Sequence, residues 1–189
     1  MNFEYTENLM GRVTIVCGDF ADGSALMSEY RGLAEEYTGA VKGLFGERLV
    51  SICFFGPIVT RKATPESDVD VLIIAEKFAR DIGSRIDETL PIHEKLRRSE
   101  AYRKLRSQGR SAFISEILLT PDEVKTHPPI LLDMTEAVDI AYDRGGFLGS
   151  VLEDVRRRLK QLGATKVTAR RGYYWILKPD ARPGEVVEI

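Results

Sequence analysis

Two largely apolar segments, separated by a glycine turn and a short polar connection, constrain the fold of this chain more than any other feature. Residues 51–57 are apolar up to a Gly-Pro turn, and ten residues, 58–67, separate that turn from a second apolar run, 68–74. This pattern predicts two buried strands of one sheet. Because side chains two residues apart in a strand point to the same face, Asp68 and Asp70 are predicted to lie side by side where the second strand begins.

The pairing of Asp68 with Asp70 indicates a particular chemistry. Two carboxylates held this close repel each other unless a proton or a cation lies between them. A divalent cation that prefers oxygen ligands, Mg²⁺ or Mn²⁺, is the natural occupant, and Mg²⁺ is commonly bound together with phosphate groups. The pair therefore favours phosphoryl or nucleotidyl transfer. The alternative is that both acids are solvated residues at the end of a strand.

The same segment resembles a known signature. Residues 54–57, followed by residues 65–72 with their Ser-Asp-x-Asp lead-in, resemble the signature of the DNA polymerase β-like nucleotidyltransferase superfamily. In that signature one strand ends in Gly-Ser and the next opens with Asp-x-Asp. The resemblance is closest to the small prokaryotic and archaeal members, the minimal nucleotidyltransferases. It implies an α+β fold with an α/β-like core, in which a small mixed sheet packs on helices and carries the acids on its open face.

The resemblance also implies roles for individual residues. Asp68 and Asp70 would hold the metals, and a third carboxylate from a neighbouring strand would act as metal ligand or general base. Glu116 is the candidate because it interrupts an apolar strand, where a charge without a partner is costly. The alternative places Glu116 on the solvated face of that strand. The implied reaction transfers an NMP, expected to be AMP, from an NTP to a hydroxyl acceptor and releases pyrophosphate.

The nucleotide-binding part of the signature departs from the family at one position. The family has Ser after the glycine, and its hydroxyl and amide hold the terminal phosphates, whereas this chain has Pro57, which offers neither group. Gly56 would still permit close backbone approach, Ser67 leads into the aspartates, and Arg61 or Lys62 would supply positive charge. The departure raises a second hypothesis: a degenerate nucleotidyltransferase fold that acts by binding a protein partner, antitoxin-like or regulatory, or by forming a homodimer.

Composition and charge narrow the choice of partners. The chain has a formal net charge of −2, so nucleic-acid binding is not expected. Basic residues nevertheless crowd two regions, 97–110 and 156–160. A third hypothesis, a nucleic-acid-modifying transferase, requires both regions to lie on the same side of the molecule as Asp68 and Asp70.

The remaining pattern predicts a nucleotidyltransferase-like core in residues 1–125 and a C-terminal part in residues 126–189, made of helices and a terminal strand or tail. The predicted strands are 11–17, 48–55, 68–75 and 111–119; the predicted helices are 26–45, 81–107 with an interruption at Pro91, 130–144 and 147–162. Residues 173–177 are predicted to form a hairpin or a docking arm. The aromatic side chains there are candidates for base stacking or, alternatively, half-buried strand residues.

The cysteines and histidines carry no metal-binding pattern. Cys17 and Cys53 lie in apolar runs and are expected to be core thiols in a reducing compartment. His93 and His127 are far apart in sequence and are expected to be surface residues rather than ligands. No apolar run reaches the length of a membrane span, and the acidic start is unlike a signal peptide. We therefore expect a cytoplasmic protein that does not bind membranes.

Overall fold

The computed structural model describes residues 4–7 and 13–16 as backbone, and residues 26–170, 172–182 and 184–189 with their side chains. These residues form a six-stranded mixed sheet with helices on both faces, and a separate two-stranded ribbon. The strands are β1 (Glu4–Glu7), β2 (Val13–Val16), β3 (Leu49–Phe55), β4 (Val69–Ala75), β5 (Ile114–Leu119), β6 (Ala137–Asp143), β7 (Thr165–Thr168) and β8 (Tyr173–Ile176). The helices are α1 (Arg31–Phe45), α2 (Pro57–Thr60), α3 (Ile82–Arg97), α4 (Glu100–Ser107), α5 (Pro121–Lys125), α6 (Ile130–Met134) and α7 (Phe147–Leu162).

The sheet has the strand order β1-β2-β6-β3-β4-β5. Every neighbouring pair is antiparallel except β4 and β5, which run parallel. A parallel pair needs a long crossover, and α3 and α4 provide it on one face of the sheet. Helices cover both faces of β3, and this strand is buried along its whole length.

Two hydrophobic clusters fill the space between the sheet and its helices. Residues of α1, α3 and α4 pack on one face, which we call the α1 face, against side chains that include Phe54, Val71 and Ile114. Residues of α5, α6 and α7 pack on the other, the α7 face, against Cys53 and Leu72 among others. Successive residues of β3 and β4 therefore alternate between two cores, and that alternation fixes which face each polar side chain can reach.

The structure confirms most of the predicted elements and corrects the region 130–144. A single helix was expected there, but α6 ends at Met134 and the chain then forms β6, which lies between β2 and β3. The apolar residues in this short run fit both a helical and a strand-like spacing. Pairing of the segment with β2 and β3 makes it a strand. The sheet therefore extends beyond residue 125, where the boundary of the core was predicted.

The proline in α3 does not interrupt the helix, contrary to the prediction. Pro91 lies inside α3 with its side chain exposed, and the break comes at Arg98, before the Ser99 hydroxyl caps α4 by accepting a hydrogen bond from the Tyr102 amide. A proline in a helix interior removes one hydrogen bond and crowds the preceding turn. Packing of the buried side of α3, which includes Ile92 and Leu96, outweighs this cost.

The C-terminal segments return to the α7 face. β7 and β8 form an antiparallel ribbon, so the hairpin predicted near residue 173 is present, and Trp175 packs against the α7-face core. Of the predicted strand 11–17, β2 is described, and Cys17 lies outside the described residues. Within the described part of the chain, no helix is long and apolar enough to cross a membrane.

Candidate active site

The two aspartates lie at the start of β4, next to the end of β3. Asp70 is paired with Phe55 of β3, and Asp68 immediately precedes the strand. The alternation of β4 places Asp70 on the same side as Leu72, which belongs to the α7-face core. Asp68 is exposed and Asp70 is partly buried, so the pair lies at the N-terminal end of β4, where solvent reaches it.

Gly56 fits tightly against Asp70. Its φ angle is +72°, and a Cβ atom placed on it would lie 3.2 Å from Cγ of Asp70 and closer still to Oδ2. Both observations require glycine: the backbone angle disfavours a side chain, and the space is already taken by the carboxylate. Gly56 and Asp70 therefore fit closely together. We call these two residues, with the neighbouring Asp68, the steric unit.

The turn after Gly56 continues directly into α2. Pro57 is the first residue of this short helix, a position that proline accepts because its missing N–H has no helical partner there. The Val59 and Thr60 amides and the Thr60 hydroxyl all donate to the Gly56 carbonyl, at 3.0–3.1 Å. These amides are thus engaged within the helix, so the turn offers fewer donors to a phosphate than a Gly-Ser turn would.

Each aspartate has a serine neighbour. The Ser111 hydroxyl donates to Oδ1 of Asp68 at 3.3 Å, and the Ser115 hydroxyl donates to Asp70. Burial raises the pKa of the Asp70 carboxyl, the negative charge of Asp68 raises it further, and the Ser115 hydrogen bond opposes the shift. The ionised pair is therefore held under mutual repulsion, which a bound cation would relieve.

The donor set of this site fits Mg²⁺ or Mn²⁺. Its ligand atoms are hard oxygens, from two carboxylates and two serine hydroxyls, as these cations prefer. In the described part of the chain, no three or more acidic, histidine and cysteine side chains gather where they could hold a metal. Phosphate oxygens and water would have to complete the coordination shell, as is common for Mg²⁺.

The other predicted nucleotide-binding residues surround the connection between α2 and β4. Arg61 ends α2 in a left-handed conformation, and it and Lys62 are exposed. The Ser67 hydroxyl accepts a hydrogen bond from the Thr64 amide at 2.9 Å, so Ser67 is used to shape the turn that presents Asp68. The structure therefore leaves the Arg61 and Lys62 side chains exposed on the connection that leads to Asp68, and gives Ser67 a local structural contact.

Glu116 does not join the aspartates. In the parallel register of β4 and β5, Glu116 is level with Val71 and Ser115 is level with Asp70. Since Val71 belongs to the α1-face core, the Glu116 side chain points to that face, on the other side of the sheet from the aspartates. The prediction of Glu116 as a third metal ligand or base is corrected by this register.

A set of hydrogen bonds holds Glu116 on the α1 face. Its carboxylate accepts from the Tyr37 hydroxyl and from Oγ1 of Thr89 at 2.6 Å, and it lies 2.8 Å from Nε2 of His93. Burial raises the pKa of Glu116, but these hydrogen bonds outweigh burial and hold the pKa below its usual value. His93, expected to be an ordinary surface residue, is thus part of a structural cluster that ties α1 and α3 to β5.

Ser111 and Ser115, which contact the aspartates, were not among the predicted site residues. Both are ordinary polar residues in a strand-like run, and only the register of β5 against β4 brings them to the aspartates. One signal was present in the sequence. Ala112, Ile114 and Glu116 are two residues apart and so point to one face of the strand, which places Ser115 on the other face.

The two basic regions do not form one surface with the site. The region 97–110 lies mainly on α4, which packs on the α1 face, and the region 156–160 lies on α7, on the opposite face. Arg157 and Arg158 of α7 pair with Asp154 one turn away. This separation disfavours the nucleic-acid-modifying hypothesis, which required both regions on one side.

The sequence profile of the nucleotidyltransferase domain family matches residues 35–141, more than half of the chain. The chain belongs to the nucleotidyltransferase domain family. The match runs from α1 to β6, so it includes the glycine turn and both aspartates, and also the strand that the sequence analysis had expected to be helical.

Proteins similar to the chain include an archaeal relative and several solved structures. A protein of Methanocaldococcus jannaschii, provisionally named protein adenylyltransferase MJ1305, is 29% identical over 132 residues, which cover 69% of this chain and 83% of that protein. A chain in a crystal structure of a toxin–antitoxin with AMP-PNP is 11% identical, with a TM-score of 0.45, 72% of this chain covered and 94% of that chain. A chain in the structure of a tri-AMPylated Shewanella oneidensis HEPN toxin with its MNT antitoxin is 12% identical, with a TM-score of 0.40 and coverages of 69% and 92%.

Proposed function

We propose that this nucleotidyltransferase transfers AMP from MgATP to a hydroxyl group of a protein acceptor and releases pyrophosphate. The observation that carries the proposal is the close fit of Gly56 against Asp70, next to Asp68. The two carboxylates repel each other at the solvent-accessible start of β4. The family match supports nucleotidyl transfer, and the name of the archaeal relative supports AMP as the group and protein as the acceptor.

Each residue of the site has a distinct role in the proposed reaction. Asp68 and Asp70 would hold a divalent cation, which when bound would supply positive charge that stabilises the reacting phosphate. In the proposed complex the triphosphate lies at the turn after β3, beside Asp70, and Arg61 and Lys62 supply positive charge from the following loop. Ser115 orients the Asp70 carboxylate by its hydrogen bond.

A labelled-nucleotide assay tests the proposal. The wild-type protein is incubated with Mg²⁺ and ATP labelled at the α-phosphate, together with a mixture of proteins, and label incorporation and pyrophosphate release are measured. We expect both signals, and their loss in Asp68→Asn/Asp70→Asn. Glu66→Gln, an exposed acid in the same loop, is the matched control and should behave as wild type. Equal incorporation by the double variant would contradict the proposal.

A second candidate function follows from the glycine turn. Pro57 has no N–H, the Val59 and Thr60 amides are engaged with the Gly56 carbonyl, and a serine stands opposite Asp70 where the neighbouring strand could have presented a carboxylate. These features favour a nucleotidyltransferase fold that has lost catalysis and acts by binding a protein partner or a second copy of itself.

Pro57→Ser distinguishes the two candidates. If the site works, the added hydroxyl and amide should strengthen ATP binding by roughly tenfold, since a hydrogen bond to a charged group contributes about 1.5 kcal/mol. Calorimetry of both proteins with MgATP measures this. Binding by the wild type that Pro57→Ser improves supports the enzyme, whereas absence of binding by the wild type with recovery in Pro57→Ser supports the degenerate module.

A further inference from the structure

One large aromatic side chain stands exposed beside the aspartates. Phe113, just before β5, is 59% exposed. Its carbonyl accepts a hydrogen bond from the Val69 amide at 2.9 Å, and its amide donates one to the Ser111 hydroxyl oxygen at 3.3 Å. Its backbone is therefore fixed between Ser111, which contacts Asp68, and the first residue of β4.

The ring lies on the same face of the sheet as the aspartates. Ala112 and Ile114, the residues on either side of Phe113, are buried in the α1-face core. The side chain between them points to the opposite face, which is the face of Asp70 and Ser115. The register pairs Val69 with Ile114, and continued by one residue before both strands it would place Phe113 level with Asp68.

The order of the strands separates two sides of the site. β3, with the Gly56 turn, lies on one side of β4, and β5, with Phe113 and Ser115, lies on the other. In the proposed reaction the triphosphate approaches Gly56, so the leaving pyrophosphate lies on the β3 side. An in-line displacement places the attacking and leaving oxygens on opposite sides of the phosphorus. If that axis runs across the strands, the acceptor comes from the β5 side, past Phe113.

We infer that Phe113 forms the acceptor subsite of this enzyme and selects polypeptide acceptors that carry an apolar side chain near the reacting hydroxyl; this inference rests on the proposed function. The acceptor oxygen bonds to the α-phosphorus, the bond from that phosphorus to the bridging oxygen breaks, pyrophosphate leaves, and the hydroxyl proton passes to solvent. Phe113 takes no part in these bond changes. It buries apolar surface of the acceptor and so positions the hydroxyl.

Two sets of synthetic peptides test the inference. Each set holds one Ser, Thr or Tyr in a Gly- and Ala-rich extended sequence, and one set has Leu or Phe two residues from the hydroxyl, on the same face of the extended chain. Kinetics with α-labelled ATP and Mg²⁺ are measured for wild type, Phe113→Ala and Phe113→Tyr. Because Phe113 is exposed, the thermal midpoint of each variant should stay at the wild-type value.

We expect the wild type to prefer the apolar set by about tenfold in kcat/KM, the scale of one apolar contact in a specificity pocket. Phe113→Ala should raise the peptide KM and abolish the preference while the KM for ATP stays unchanged, and Phe113→Tyr should restore the preference. A weakened ATP affinity in Phe113→Ala would place the ring on the nucleotide side and overturn the inference. An unchanged preference would overturn it as well.

Failure of the inference and failure of the proposed function give different results. If the wild type binds MgATP through Asp68 and Asp70 but modifies no peptide of either set, the peptide subsite is refuted and the nucleotide site stands. If the wild type binds no ATP and releases no pyrophosphate, the proposed function itself fails, and the acceptor subsite fails with it.

Discussion

Two carboxylate sites on neighbouring strands of this protein have opposite character. Asp70 and Glu116 differ by one position in the register of β4 and β5, and the sheet separates them. The Glu116 side chain is 7% exposed and has three hydrogen-bonding neighbours, whereas Asp70 has one serine hydroxyl and a repelling aspartate. Glu116, whose charge is balanced by hydrogen bonds, has a structural role. Asp70, whose charge is repelled by Asp68, is the candidate for binding a cation.

The pKa shifts of the two sites express the same contrast. Burial raises the pKa of both carboxyls, but the partners of Glu116 reverse the effect and those of Asp70 do not. Ionised Glu116 therefore stabilises the fold, and ionised Asp70 lowers its stability until a cation binds. The number and sign of the partners, rather than burial alone, distinguish the two roles.

The largest expected effect is on catalysis. Asp70→Asn should reduce AMP transfer by about three orders of magnitude, because several kcal/mol of charge stabilisation by the metal are lost. The same variant should be at least as stable as wild type, since it removes a repelling charge. Transfer rates and thermal midpoints measure the two effects. A marked fall in stability would assign Asp70 to the structural class instead.

The reverse result is expected at the other site. Glu116→Ala leaves the buried Tyr37 hydroxyl without its acceptor and removes one of the two acceptors near Thr89, and should lower the free energy of unfolding by about 3 kcal/mol. Urea unfolding measures the loss, and Glu94→Ala, an exposed acid on α3, is the control. AMP transfer by the folded variant, assayed well below its midpoint, should match wild type. Loss of transfer with full stability would restore Glu116 to the active site.

The contact between Gly56 and Asp70 gives an intermediate effect. In Gly56→Ala the new methyl group must displace the Asp70 carboxylate, and the backbone (φ 72°, ψ −155°) lies in a region that essentially only glycine adopts, which adds strain of about 1–3 kcal/mol. We expect transfer to fall about 100-fold, equivalent to about 2.7 kcal/mol. Gly163→Ala, where a Cβ meets nothing within 4 Å and the backbone is in the milder left-handed helical region (φ 67°, ψ 28°), shows the effect of a positive φ without a steric contact. Equal losses of activity in the two variants would show that the steric unit does not matter.

The smallest effect concerns an ion pair away from both sites. Arg85 of α3 contacts Glu123 through both guanidinium Nη atoms, at 2.9 and 2.7 Å, and hydrogen bonds from Arg85 lower the pKa of Glu123 to about 2. Because the folded pKa lies below the ordinary value of 4.5, this stabilisation is complete above pH 4.5 and disappears as pH falls toward 2.

The Glu123 side chain is 42% exposed, so solvent screening limits the contribution to about 1 kcal/mol. Glu123→Gln should flatten the acid limb of stability against pH by this amount, which denaturant unfolding between pH 2 and pH 5 can resolve. An unchanged slope would show that Glu123 does not contribute to the pH dependence of stability.

The sequence was informative where the structure is local and less so where it depends on strand register. The Gly56 turn and the two aspartates were predictable because both strands, their turn and the connection lie within 49–75. The face of Glu116 was not, since it depends on pairing β5 with a strand some forty residues earlier, and a shift of one residue reverses every side chain. β6 was missed for a similar reason, because its strand character comes from its place between β2 and β3.

Calorimetric titration with ATP, with and without Mg²⁺, tests the central claim most directly. Wild type, Asp68→Asn/Asp70→Asn and Glu116→Gln are compared under conditions where each is folded. We predict Mg²⁺-dependent binding by the wild type and by Glu116→Gln, and none by the double variant. Equal binding by the double variant, or loss of binding only in Glu116→Gln, would contradict the assignment of the aspartates as the nucleotide site.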